Sequence, residues 1–228
     1  MSATELDKLI ASTAKAGDRY GLSGVDRSRL YLLAAYTGLR LGSLIKLTVE
    51  SFAVVAGVVQ SVTARAETTK KRKLHVVPLP KDVGGIVARW LAGKTPGERL
   101  WPCKFHRGYG SKLLQFDLSA AGIPFADASG AVFDFHALRG QYATMLVRAG
   151  VSGSVVTRLM DHSDPKLTAK YTKLAQTDLI HAVESLPNLG AKLGTVNDNK
   201  CEKGLSRTKK PISKKSGGKI EKTGILGK

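Results

Sequence analysis

The chain has little that would anchor, cross-link or acidify it. It has no run of eighteen apolar residues, only two cysteines, aromatic side chains at 6% of its 228 positions, and half as many acidic residues as basic ones. Without such an apolar run no segment qualifies as a transmembrane helix, and the N-terminal MSATELDKLIAS has no secretory-leader pattern, so a soluble cytoplasmic protein is expected. Cys103 and Cys201 stand alone, outside any CxxC or Cys/His ligand spacing, which argues against a zinc site and against a disulfide framework. The scarcity of acid is the strongest compositional statement. Thirty-six Lys and Arg against eighteen Asp and Glu give a formal charge of +18. Residues 191–228 hold eleven basic and three acidic side chains, so eight of these charges lie there and ten remain on residues 1–190. A domain that is itself basic attracts polyanions and releases counterions on meeting phosphates, which makes nucleic acid the leading partner.

What is present suffices for one core. A hydrophobic content of 43% over this length predicts a single main domain, and the stretch rich in Lys, Gly, Ser and Thr beyond about residue 190 reads as a disordered basic tail. Residues 4–15 predict a helix that Gly17, Gly21 and Gly24 interrupt. A second helix fits 26–37, with Asp26 as N-cap, a stripe through Leu30, Leu33, Ala34 and Tyr36, and Gly38 at its end, which puts Arg40 at a helix-to-helix corner. The valine-rich stretch around Ala56-Gly57, followed by KLHVVPLP, predicts a three-stranded antiparallel sheet over about 52–79, with the charged turn ETTKKRK between its second and third strands. Helices are expected at 81–92, 107–121, 135–149, 152–160, 165–171 and 176–185, with a weak hairpin in IPFADASGAVFDF. The fold class is therefore α+β, mainly α, with one small sheet.

The segment FHALRGQYATMLVRAGVSGSVVTRLMDHSDPKLTAKYT places His136, Arg139, His162 and Tyr171 within 38 residues, with Arg40 far upstream in TGLR. His136 and Arg139 are three apart and share a helix face. Two guanidiniums, two imidazoles and a phenol suit phosphodiester chemistry. The planar guanidinium fork matches phosphate oxygens and stays charged, imidazole handles protons near neutrality, and a tyrosine can hold a phosphoryl group covalently.

The segments AAYTGLRLGSLIKL, TTKKRKLHVVPL, FHALRGQYAT and LMDHSDPKLTAKYTKL together resemble the C-terminal catalytic domain of tyrosine recombinases, the phage-integrase family, from about residue 4 to 186. One HxxR is a weak signal, but the ordered set is specific. The resemblance implies that Arg40 and Arg139 clamp the scissile phosphate and that His136 and His162 bond the phosphate or handle the tyrosine proton. It implies that Lys70, eight residues before Pro78, protonates the leaving 5′ oxygen, with Lys71 as the alternative, and that Tyr171 attacks phosphorus. It further implies no cofactor, double-stranded DNA as partner, two to four copies on the DNA, accessory proteins, and a place on the nucleoid. Residues 1–190 would form the catalytic domain, and the N-terminal core-binding domain usual in the family would be missing. Three positions depart from the family pattern: Ser43 stands where an acid commonly supports the first arginine, Gly140 where a histidine often follows the second, and Asp161 where a glycine usually precedes the histidine. A carboxylate at 161 is expected to raise the pKa of His162. These departures leave two other readings, a catalytically impaired DNA-binding relic and a type IB topoisomerase-like activity.

Overall fold

The computed structural model describes residues 1–69, 73–102, 105–162, 164, 166–169 and 171. Its centre is helix α2 (Gly24–Thr37), which buries Leu30, Tyr31, Leu33, Ala34 and Ala35 on all sides, the mark of a helix surrounded by others. Helices α1 (Ala3–Ala14) and α6 (Phe135–Arg148) pack on it, and α5 (Gly110–Ala120) packs on both of these. Helix α1 opens with a capping box, in which the Glu5 N–H donates to Ser2 Oγ at 3.1 Å and the Ser2 N–H to the Glu5 carboxylate at 2.6 Å.

The N-cap of α2 is Ser23 rather than Asp26. Ser23 Oγ accepts from the Asp26 N–H at 3.0 Å and donates to its carboxylate at 2.8 Å. Both residues are capping types, and the structure uses the earlier one as cap and the later as the first-turn anion that complements the helix dipole. One turn on, Arg27 is buried with Asp117 of α5 in a bidentate pair, Nε to Oδ2 at 2.8 Å and Nη2 to Oδ1 at 3.1 Å. Tyr31 donates to the same carboxylate at 2.7 Å. Arg27 also donates to the carbonyls of Gly17 and Leu22, so one side chain ties the glycine-broken α1–α2 loop to two helices. Burial pulls the Arg27 pKa down, but the hydrogen bonds and charge of Asp117 outweigh it and the net shift is upward.

The sheet has the order β1-β2-β3, all antiparallel: β1 (Phe52–Val55), β2 (Val58–Ala64) and β3 (His75–Pro78). The β1–β2 turn is Ala56-Gly57 with φ of 50° and 75°, the left-handed pair that a tight hairpin needs. Helix α4 (Lys81–Leu91) lies on β2 through Val83 and Val87. Its Gly84 permits that approach, because a Cβ there would stand 2.1 Å from the Val59 carbonyl oxygen.

The remaining expectations match with small shifts. The helix expected from 107 starts as a one-turn 3-10 segment, Arg107–Tyr109, before α5, and the expected hairpin at 123–135 reduces to one bridge between Ala126 and Val132. Helices α7 (Gly153–Leu159) and α8 (Lys166–Ala169) fall within their expected ranges, while the 176–185 helix and the tail beyond 190 lie outside the described residues. No described helix is long and apolar enough to cross a membrane.

Deleting the counter-charge of Arg27 leaves a buried, unpaired cation. Asp117→Ala is expected to lower unfolding stability by about 3–5 kcal/mol, against roughly 1 kcal/mol for Tyr31→Phe, which loses one hydrogen bond. Urea titration monitored by circular dichroism measures both, and equal losses would contradict the assignment of Arg27–Asp117 as the dominant pair.

Candidate active site

The site begins where α2 ends. Gly38 is left-handed (φ 61°), its N–H bonds the Ala34 carbonyl at 3.0 Å, and a Cβ at this position would sit 2.6 Å from Tyr142 Cδ1. Backbone conformation and crowding both demand glycine here. Two residues later Arg40 is the extended N-cap of α3 (Leu41–Leu44). Its carbonyl accepts from Ser43 and Leu44, while its side chain makes no capping bond and lines a cavity.

That cavity holds about 190 Å3 and is walled by Arg40, Ser111, Asp134, His136 and Arg139, with Leu41 and Phe135 beside them. Asp134 is the N-cap of α6, its Oδ1 accepting from the Ala137 N–H at 3.0 Å, so its charge serves the helix start. His136 and Arg139 follow on the first turn of α6. Arg139 is only 4% exposed and donates Nη1 to the Gly38 carbonyl and Nη2 to the Met160 carbonyl. A guanidinium has five N–H donors, so these two bonds leave capacity for an anion. Among the described residues no carboxylate forms an ion pair with Arg40 or Arg139.

Beyond α7 the chain turns through Asp161, left-handed at φ 48°, into His162. His162 Nδ1 lies 3.0 Å from Thr168 Oγ1, which lies 2.9 Å from Thr157 Oγ1, which lies 2.7 Å from the Gly153 carbonyl oxygen. Thr157 Oγ1 is placed to donate either to the Gly153 carbonyl or to Thr168 Oγ1, and Thr168 in turn holds Nδ1 of His162. Tyr171 hangs from the end of α8 by its N–H to the Thr168 carbonyl at 2.9 Å, and its ring rests over α6 at Gly140. A Cβ at 140 would lie 3.4 Å from Tyr171 Cε1 and 3.5 Å from its hydroxyl oxygen. The glycine that departs from the family pattern is thus the seat of the tyrosine.

The electrostatics are those of crowded cations. Burial, then the charge of Arg40, lowers Arg139 to a pKa of about 10, with Tyr171 and Asp161 pulling the other way, so it stays charged at neutrality. Burial, then Arg139 and Arg40, lowers His162 to about 4. The expected upward push of Asp161 is real but outweighed. His136 is lowered too, by burial and by Arg139, against Asp134, with Arg40 adding to the depression. Both imidazoles are therefore neutral at pH 7.

Of the six residues singled out in the sequence, Arg40, His136 and Arg139 line one cavity, and Tyr171 and His162 are electrostatically coupled to Arg139. Lys70 and its alternative Lys71 lie outside the described residues. Sequence reasoning missed Thr157, Thr168 and Ser111. The i, i+11 spacing of the two threonines has no motif meaning until α7 and α8 are docked.

Comparison with known proteins gives the class first. The fold is that of tyrosine recombinase catalytic domains: the XerH site-specific recombinase superposes over 82% of this chain and 54% of its own, with a TM-score of 0.60 and 18% identity. The catalytic domain of bacteriophage HP1 integrase superposes over 82% and 94%, with a TM-score of 0.57 and 20% identity. The sequence profile of the phage integrase family matches residues 1–178, and the chain belongs to that family. It is 28% identical to a tyrosine recombinase of Thermosipho africanus over 154 residues, 68% of this chain and 52% of that protein. It is 30% identical to tyrosine recombinase XerD of Pseudomonas aeruginosa over 191 residues, 80% and 60% of the two chains. The chain thus spans between half and two thirds of the length of these relatives.

Two outcomes test the His162 environment. Nitrogen-15 NMR is expected to show a neutral imidazole at pH 7, with protonation only near pH 4. Since this folded value lies below the 6.5 of an unperturbed histidine, His162 contributes stability that is present above pH 6.5 and lost as pH falls from there toward 4. Asp161→Gly relieves a left-handed backbone at a gain of roughly 0.5–1 kcal/mol and moves the His162 titration further down. An upward move would contradict the sign given to the carboxylate.

Proposed function

We propose that the chain is the catalytic domain of a site-specific DNA recombinase or integrase, which breaks and rejoins DNA through a 3′-phosphotyrosine. The observation that carries this reading is the cavity in which Arg40 and Arg139 stand without a carboxylate partner among the described residues, coupled to a tyrosine of the same chain. Such a cavity favours a phosphodiester, whose negative charge rises as phosphorus becomes five-coordinate. Tyr171 Oη forms the bond to phosphorus while its proton passes to His162, and the bond to the 5′ oxygen breaks. Lys70 or Lys71 protonates that oxygen, and His136 hydrogen-bonds the phosphate. Attack by a 5′ hydroxyl on the phosphotyrosine reverses the sequence, so bond energy is conserved and the chemistry as written needs no metal or nucleotide.

The solved XerH structure is a pre-cleavage complex with its difH substrate, and the transposon Tn1549 integrase was solved with circular intermediate DNA. Fold likeness to these proteins, together with the basic composition, supports double-stranded DNA as the partner here. Assembly of two to four copies, accessory proteins and a location on the nucleoid belong to the same proposal. The departures at 140 and 161 weigh less for a relic than the sequence suggests, because Gly140 seats Tyr171 and Asp161 leaves His162 neutral.

Wild type and Tyr171→Phe, incubated with nicked or supercoiled DNA, denatured, nuclease-digested and mapped by mass spectrometry, are expected to differ by a nucleotide adduct on Tyr171 alone. No adduct on a nicked suicide substrate that the wild type binds would instead favour the relic. Arg40→Gln is expected to abolish the adduct with the melting temperature unchanged. Arg139→Gln abolishes it and also destabilises by about 1–3 kcal/mol, since two buried carbonyls lose their donors. Mixing Arg40→Gln with Tyr171→Phe restores no cleavage if Tyr171 acts within its own chain, as its seat on Gly140 supports.

A further inference from the structure

A second cationic cavity, of about 360 Å3, opens at the other end of α3. Lys46, Arg65 and Arg99 line it over an apolar floor that includes the buried Trp101 and Phe105, and Glu67 is the one acidic wall residue. The arrangement is built by backbone pairing. Thr48 and Arg99 form an antiparallel bridge, the Val49 N–H donates to the Glu98 carbonyl at 3.0 Å, and the Leu100 N–H to the Leu47 carbonyl at 3.1 Å. Trp101 Nε1 donates to the Leu44 carbonyl at 2.7 Å and fastens the same loop to α3. Lys46 and Arg99 are thus exposed cations on two stitched segments, and among the described residues neither has a carboxylate within ion-pair distance. Arg65 bonds Glu50 at 3.2 Å.

We infer that this cavity is a second phosphate site. Resting on the DNA reading above, it seats a backbone phosphate of the duplex that flanks the one held by Arg40 and Arg139. Lys46 and Arg99, the two lining cations outside the Arg65–Glu50 pair, favour an anion against Glu67, and the apolar floor strengthens their field over its value in open water. Arg40 precedes the single turn of α3 and Lys46 follows it, and that four-residue turn rises roughly 6 Å at 1.5 Å per residue. Charges along one DNA strand advance about 3.4 Å of helix axis each, so the two cavities can engage phosphates a few nucleotides apart. Two anchored phosphates fix the rotation of the duplex over Tyr171, which one cannot do.

The test is fluorescence anisotropy of a 30-base-pair duplex of arbitrary sequence between 50 and 200 mM KCl, with no cleavage required. Lys46→Gln/Arg99→Gln is expected to lower the slope of log affinity against log salt by about 1, since both cations seat the same phosphate, and to weaken binding some 5- to 10-fold at 100 mM salt. Lys46→Arg/Arg99→Lys keeps the wild-type slope. If the wild type binds with a salt-dependent slope and the Gln pair reproduces both slope and affinity, the second site is overturned while the DNA reading stands. A Gln pair that alters only self-association in sedimentation, with DNA binding unchanged, assigns the cavity to an acidic surface of a second copy and also overturns it. A wild type without salt-dependent binding overturns the DNA reading, and this site with it.

Discussion

Arg139 holds the site together before it holds any ligand. Its two bonds reach the carbonyl of Gly38, 101 residues upstream, and that of Met160, 21 residues downstream. One guanidinium therefore joins the α2–α3 corner that carries Arg40 to the α7 end that carries His162. These carbonyls lie at chain reversals where no helix partner is available, so a buried donor is the means of satisfying them. The cost is a buried cation with no carboxylate ion pair among the described residues, expressed in its lowered pKa. A carboxylate would remove that cost, but it would also occupy the place of an anionic ligand. Carbonyl partners position the side chain while leaving its charge uncancelled.

The same logic explains why the turns look as they do. Gly38 and Asp161 are both left-handed, and each directly precedes, or lies within two residues of, a residue the proposed chemistry uses. At Gly38 the crowding by Tyr142 allows no side chain. At Asp161 the backbone demand alone remains, and aspartate is among the few residues that meet it at modest strain. The substitution is tolerated because its carboxylate is one influence on His162 among several, with burial the largest.

How much of this was legible in the sequence depends on range. Helix ends were, because Gly38, Gly122 and Gly150 take the left-handed conformation that makes glycine a stop signal. The hairpin was, because Ala56-Gly57 interrupts two valine-rich strands. The start of α2 was misjudged by three residues, since Ser23 and Asp26 are equally good caps and only the hydrogen bond decides between them. The proposed catalytic residues were legible as a spaced pattern, whereas their supports were not. Asp117 as the partner of Arg27 is 90 residues away, and Thr157 and Thr168 acquire their role only when two short helices dock. In the sequence Gly140 is a bare departure from the family pattern, and only the Tyr171 ring above it gives the missing side chain a reason.

The crowding of positive charge also decides how protons can move. Neutral imidazoles beside two arginines are poor acids but can accept a proton, and the threonine chain holds the His162 ring in place. A phosphate entering the cavity places negative charge among these groups and favours their protonated forms. In the proposed reaction the proton accepted from tyrosine is then stabilised by the phosphate whose bond is changing, and it is returned when the phosphotyrosine is resolved. An imidazole already charged at neutrality would bind the phosphate as tightly but could not accept that proton. In the proposed chemistry burial and the two arginines together hold His162 neutral until the anion arrives, which couples its basicity to occupancy of the site.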